Sequence, residues 1–400
     1  MNEWTAGVLS DVLEEVNERN VDRGARLVLS VTEGRGIVPQ TEIFKKRIAI
    51  EDTSKYKLLR PLDIAWNPYL LWTGAIGQWL GTEFGITSPV YPVYRTRQGQ
   101  SARFWGLVLE CGWLTSYFNS RAIGSIQRRR RTTPADFKAA PIEIPPLRTQ
   151  QRIVETIGAI DDQIAALDVE GASVRRVMFA TALHLLSLPG SEAGVTIDSL
   201  LRQSLGGVWG EEPGTGQKDV SVYRSTEFTN DGVLVTPAEA VRSVSSKQAS
   251  SRRLVAGDIL LEKSGGTPTR PTGRVVRVRD VEADAIYANF LHLLRADEGL
   301  VEPGYLFWVL WTAHRRGDPF AFQSATTNIR NLKTPAYLAR RLELPSRENQ
   351  AECVAALDAL QAVALRTDAE VDRLRSTRTA LLSCLLNRKI ELDDVEDEVA

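Results

Sequence analysis

Cysteine, histidine and methionine are scarce, with three, three and two copies in 400 residues. Cys111, Cys353 and Cys384 are odd in number and lack metal-ligand spacing, so neither a disulfide framework nor a zinc site is expected, and a reduced cytoplasm fits best. His184, His292 and His314 are scattered, which leaves no catalytic triad and no metal cluster. No apolar run approaches a membrane span, and the acidic, amphipathic first twenty residues do not read as a signal peptide. Ser264-Gly265-Gly266 to Gly273 lacks the Gly-Lys-Ser/Thr ending of a phosphate-binding loop. Trp66-Asn67-Pro68-Tyr69 is one proline short of the Asn-Pro-Pro-Tyr motif of amino-methyltransferases, and no glycine-rich cofactor loop precedes it. Asp258, Glu262 and Lys263 lack nuclease spacing. An excess of one charge sign is missing too, since 49 basic and 50 acidic residues leave a net charge of −1. That average hides an acidic tail: residues 391–400 hold six acids and no base, and without them the chain carries +5. The tail is expected to be solvated.

What the chain does contain is a repeat. Shifted by 200, Leu342 to Leu386 lies beneath Ile142 to Leu188 without a gap. The identical pairs are Glu143/Glu343, Pro145/Pro345, Gln150/Gln350, Val154/Val354, Ala159/Ala359, Asp168/Asp368, Glu170/Glu370, Arg175/Arg375, Ala180/Ala380, Leu185/Leu385 and Leu186/Leu386. The first copy has an apolar seam at Ile153, Ile157, Ile160, Ile164, Leu167, Val174, Met178 and Leu185. The second runs through Leu357, Leu360, Val371, Leu374, Leu381 and Leu385. Steps of four and three over four heptads predict a coiled-coil seam. Forty helical residues reach roughly 60 Å. Pro145, Pro146, Pro345 and Ser346 mark the helix starts. Two long helices packed antiparallel about a pseudo-twofold axis are expected. Thr367 and Arg378 on the seam suggest a local opening or a second partner.

The segments between repeat their plan more loosely. Gly7 to Arg19 reads as an amphipathic helix, as does Val195 to Gln203 in the second half. Leu27 to Val31 and Val220 to Tyr223 read as strands. Leu59 to Ala65 matches Leu254 to Leu260. Arg103 to Phe118 and Tyr305 to Ala313 read as aromatic helices, and Ile286 to Arg295 as a strand pair. Polar loops precede Thr133-Pro134 and Thr334-Pro335. The order is module, rod, module, rod, giving an α+β chain. Its parts are a first module at 1–145, a helix at 146–189, a second module at 190–345, a helix at 346–390 and the tail.

Several motifs carry a resemblance. Ile142-Glu143-Ile144-Pro145 and Leu342-Glu343-Leu344-Pro345 lead into Pro146-Leu147-Arg148-Thr149-Gln150 and, more weakly, Pro345 to Gln350. A Gly-Asp-Ile turn stands at Gly257-Asp258-Ile259, with leucine replacing glycine at Leu62-Asp63-Ile64. Polar stretches Gly124-Ser125-Ile126-Gln127 and Thr326-Thr327-Asn328-Ile329 precede the last strand of each half. In this order and twice over, the chain resembles the specificity subunit of Type I restriction–modification systems along nearly its whole length. It departs at Ser346-Arg347, where a Pro-Leu pair is usual, and at Leu62.

The resemblance implies two target recognition domains of similar α/β fold, each reading one half of a bipartite site in double-stranded DNA. The helices would set the spacing and dock two methyltransferase subunits, with restriction/translocase subunits joining in a full complex. It implies no catalysis and no cofactor in this chain. S-adenosylmethionine would sit on the methyltransferase partner, and ATP with Mg on a restriction subunit. Reading DNA needs cations for phosphate and planar donors for base edges. Candidates are Lys45, Lys46, Arg47, Arg95, Arg97, Gln127, Arg128, Arg129, Arg130, Arg131, Lys263, Arg270, Arg274, Asn328 and Arg330, with Arg252, Arg253, Arg277 and Arg279 beside them. The aromatics Trp105, Trp113, Phe307, Trp308 and Trp311 read as core. Alternatives are a coiled-coil scaffold that binds proteins, a related methylation system outside Type I, and a self-sufficient methyltransferase.

Overall fold

The computed structural model describes residues 4–44, 52–124, 130–190, 193–266, 270–325 and 329–390. The chain divides into two units, residues 1–166 with 371–400, and residues 167–370. Each takes part of both long helices, which span Leu147–Leu185 and Arg347–Leu386.

In the first unit a four-stranded antiparallel sheet has the order Leu13–Val16, Val93–Thr96, Ile64–Trp66, Ile76–Gln78. In the second unit the order is Leu201–Gly206, Leu291–Ala296, Ile259–Glu262, Val275–Arg277. A further sheet in each contains one parallel pair, Leu27–Thr32 with Gly85–Thr87 and Lys218–Tyr223 with Ile286–Tyr287. Two-stranded clips lead into each long helix: Thr5–Val8 pairs Pro141–Ile144, and Val195–Thr196 pairs Arg341–Leu342. The units thus share a topology, strand for strand in the main sheet.

The expected helix at Gly7 to Arg19 is instead strand, one helical turn at Leu9–Val12, and strand. Val195 to Gln203 is likewise strand, a 3₁₀ turn at Asp198–Leu200, and strand. Both stretches are rich in valine and leucine, which suit either state. Pairing with distant strands decided, because it satisfies the backbone groups that a three-turn helix would leave at its ends. The helix expected at Arg103 to Phe118 breaks into Ala102–Leu109 and Gly112–Arg121 around Cys111, whose backbone is extended. The strands expected to pair within Ile286 to Arg295 lie in different sheets.

Within each unit the long helices pack antiparallel. In the first, Ile153 and Ile157 share a core with Leu382 and Leu385, and Arg378 grips Asp161 at 2.5 and 3.1 Å. In the second, Met178, Ala182 and Leu186 share a core with Cys353 and Leu357, and Arg175 pairs with Asp368. The seam differs from expectation at Leu185, which is 39% exposed while Ala182 and Leu186 are buried. The apolar stripe steps over by one because a straight helix turns 3.6 residues per turn and drifts from a 3.5 repeat. Ile160, Ile164, Leu167 and Val174 are half-buried, as are Leu360, Leu374 and Leu381. Arg378 opens no gap: it also reaches Glu110 at 2.8 Å, so its charge is matched by two carboxylates. Thr367 is buried and donates to its own helix at Val363 O, 3.1 Å.

Candidate nucleic-acid interface

Two repeated devices hold the frame of each module. The first is a buried glutamine. Gln150 Oε1 accepts from Ser101 N, 2.8 Å, and Gln350 Oε1 accepts from Glu302 N, 3.0 Å. Ser101 and Glu302 are the N-caps of helices Ala102–Leu109 and Pro303–Arg316. The same amides donate to Pro145 O at 2.8 Å and Pro345 O at 2.9 Å. One side chain therefore satisfies a helix start in the module and a carbonyl ahead of the long helix. Left unmade, such buried groups would cost about 1–3 kcal/mol each.

The second device is a turn aspartate clamped by arginine. Asp63 accepts from Arg60 N at 2.9 Å and holds Arg95 through Nε and Nη2 at 2.8 and 2.9 Å. Asp258 accepts from Val255 N at 2.8 Å and holds Arg295 at 2.6 and 2.7 Å. Leu62 adopts φ +69°, matching Gly257 at +90°, so the turn survives without its glycine. Leu62 N donates to Trp79 O and its carbonyl accepts from Gln78, which anchors the strained residue. The hydrogen bonds that Arg95 donates to Asp63 raise its pKa above the ordinary value, and a third bond runs from Arg95 Nη1 to Glu18.

These contacts sort the nominated cations. Arg95 is taken up by the Asp63 clamp. Arg274 is bound to the buried Glu262 at 2.9 Å twice and to carbonyls of Ser225 and Phe228, so it too serves the fold. Arg277 bonds Asp358 and Arg279 bonds Gln361, tying that module to the second long helix. Arg252 Nε donates to Gly206 O, 2.9 Å, and Arg253 faces Asp284 at 4.0 Å. Arg97 is about half exposed, with Nε donating to Ser10 O. Lys45, Lys46, Arg47, Gln127, Arg128, Arg129 and Asn328 lie outside the described residues.

The rest gather by unit. In the first, Arg130 lies 4.5 Å over the Trp72 ring and donates to Asn119 O, 2.7 Å, while exposed Arg131 bridges Ile123 through its backbone. Tyr69 beside them is 50% exposed. In the second, strand Arg330–Leu332 pairs with Ser264–Gly266 and Gln323–Ala325, and Ser264 Oγ donates to Asn331 Oδ1, 2.6 Å. Lys263 is half-buried and Arg270 exposed. Lys263 N donates to Phe290 O, 2.9 Å, and Lys263 O accepts from Leu332 N, 2.8 Å. Nearby His292 is held down to about 4 by burial first and by Lys263 second, and its ring meets Ser204 Oγ at 2.9 Å.

Asn67, the residue of the methyltransferase look-alike, spends its side chain on the turn. It accepts from Tyr69 N at 3.1 Å and donates to Tyr91 Oη at 3.0 Å. Among the described residues no cluster of His, Cys, Asp or Glu could hold a metal, and no helix is long and apolar enough to cross a membrane. The stacking of Arg130 on Trp72 and the clamps were not foreseen from the sequence. The clamps had left a signal, since Arg95 and Arg295 obey the 200 shift outside the helical repeat.

No protein-family model matches the chain, and no curated protein matches it in sequence. Solved structures do. One is a chain from a study of complex assembly and conformational transition of the type I R-M system, 15% identical, with a TM-score of 0.57 over 96% of this chain and 97% of that one. Another is the Type I restriction–modification system S subunit from M. genitalium, 11% identical, with a TM-score of 0.52 over 98% and 97%. The chain therefore shares the fold of a type I restriction–modification S subunit from end to end.

Proposed function

We propose that the chain is the DNA-sequence-recognition subunit of a Type I restriction–modification complex. Each unit reads one half of a bipartite site in double-stranded DNA. The long helices set the spacing of the halves and dock two methyltransferase subunits. The observation that carries this reading is the repetition itself. Two units of one topology share an arginine at the same place, Arg130 and Arg330, and differ around it, with Arg131 against Asn331 and Pro68 against Lys263. A common frame with divergent tips is what two unlike half-sites need. Arginine, asparagine and glutamine supply the planar donors that base edges accept, and the likeness to an S-subunit fold along the full length supports the same reading.

On this reading the chain is non-catalytic. S-adenosylmethionine belongs to the methyltransferase partner, and ATP with Mg to a restriction subunit where one joins. The complex works in the cytoplasm. Binding of random-sequence duplexes, measured with the methyltransferase partner present, tests the proposal. Selection of a split site with an unread centre is expected. Binding without base preference would favour a protein-binding scaffold, and methyl transfer by the purified chain alone would make it an enzyme in its own right.

A further inference from the structure

Val90 and Phe290 occupy one position of the repeat. Each lies five residues before the arginine that clamps the turn aspartate, Arg95 or Arg295. Each is an exposed large apolar side chain, at 58% and 45%. A single surface hydrophobe needs no explanation. The same position left apolar and exposed in two units, with Arg131 against Asn331 and Pro68 against Lys263 around it, does need one.

The surroundings narrow it. Backbone hydrogen bonds join Phe290 to Lys263 and Lys263 to Leu332, so Phe290 lies on the chain next to a lysine and one strand away from Arg330–Leu332. Lys263 Nζ reaches within 3.2 Å of where a Cβ on Gly206 would stand, and Arg252 bonds the Gly206 carbonyl. In the first unit Pro68 takes the place of Lys263. Its carbonyl accepts from Thr132 N, 3.0 Å, the counterpart of the Lys263–Leu332 bond. There the cations stand on the loop itself, at Arg130 and Arg131. The lysine beside Phe290 is of the kind depleted at the core of protein interfaces. It suits a groove in which phosphates border the bases.

We propose that Val90 and Phe290 are the apolar base-contacting residues of their units, each meeting a base of double-stranded DNA while the neighbouring cations hold the backbone. This rests on the DNA-reading function above. The contact is with a thymine methyl or with a partly opened base step, both of which take an apolar side chain. Valine and phenylalanine differ in size, so the two halves of the target differ at the bases they meet.

The test uses the full chain with its methyltransferase partner and a random duplex library. Wild type selects a split site. Phe290→Ala lowers base preference in one half about tenfold, the scale of one mismatched pair, and leaves the other half and the salt slope unchanged. Val90→Ala affects the opposite half, and Phe290→Leu keeps most of the preference. Deoxyuracil in place of each thymine then separates the two contacts. A loss coupled to Phe290 marks a methyl, and relaxation by Phe290→Ala without such coupling marks a base step. An unchanged site with Phe290→Ala overturns the proposal and leaves the DNA-reading function standing. So does an unchanged site with weaker capture of the methyltransferase, which would make the ring a protein contact. If wild type selects no site, both readings fall.

Discussion

The two units keep their frames alike and tie them to the long helices differently. In the second unit the turn at Asp231, the edge strand Val275–Arg277 and the helix Pro303–Arg316 are bound to the long helices: Arg277 and Trp308 Nε1 reach Asp358, Gln361 reaches Asp231 O and Arg279, and Arg175 holds Asp231. In the first unit one arginine, Arg378, gathers Asp161 and Glu110. Beside Glu110 that unit has a polar cleft of about 660 Å³, lined by Glu33, Arg35 and Arg103. A smaller cleft in the second unit, of about 290 Å³, is lined by Phe179 of the long helix with Trp311, Phe320, Arg274, His314 and Arg315. What persists between the units is bonding inside the module's own frame: the glutamine and aspartate bonds to backbone, and the aspartate–arginine clamp on the turn. What varies is the layer of side chains set against the long helices. A contact that completes the frame's own N–H and C=O groups tolerates no substitute, whereas a layer packed on a helix can be filled in several ways.

The comparison can be broken most sharply at the clamps. Asp63→Ala and Asp258→Ala should each cost about 3 kcal/mol, because each strands a partly buried arginine. Chemical denaturation measures both, and a large loss in one unit with little in the other would end the equivalence. Gln150→Leu and Gln350→Leu come next, at about 2 kcal/mol each for a buried donor and acceptor left unmade. A smaller, one-sided effect is expected in acid. All three histidines lie in the second unit. Burial lowers both His292 and His314 below the ordinary 6.5. A group depressed in the folded state takes up its proton more readily when unfolded, so stability falls as pH drops below 6.5 toward 4. Hydrogen exchange across that window should loosen residues 167–370 first, and His292→Gln should reduce the difference.

Gly257→Ala should cost about 1 kcal/mol for the left-handed backbone alone, since the nearest atom to an added Cβ is Pro303 Cβ at 4.0 Å. The Leu62 turn already carries that strain, so differential scanning calorimetry of Gly257→Ala gauges what the first unit tolerates. The smallest effect concerns DNA. Changing Arg129 and Arg130 to alanine should weaken binding severalfold and flatten the log–log salt dependence by about one unit per lost phosphate contact. Unchanged affinity at low salt would remove these arginines from the interface.

Much was legible in the chain by itself. The 200-residue echo announced two long helices, and the helices span Leu147–Leu185 and Arg347–Leu386. The Asp-Ile turn was visible at both places, even where leucine replaces glycine. Less legible were the short strands flanking Leu9–Val12 and Asp198–Leu200. Their residues are compatible with helix or strand, and only partners more than eighty residues away, such as Thr96 and Ala296, settle the choice. The cations were least legible. Arg95 and Arg274 look like any surface arginine in one dimension, and carboxylates from elsewhere in the fold claimed them.

Periodicity, punctuation and the internal echo can be read along the chain, and they determined the long helices, the turns and the repeated plan. Which arginines hold the frame, which stay on the surface and which seam residues turn outward depend on groups brought together from distant parts of the chain. Charge pairing and burial act through space, and only the tertiary structure could decide them.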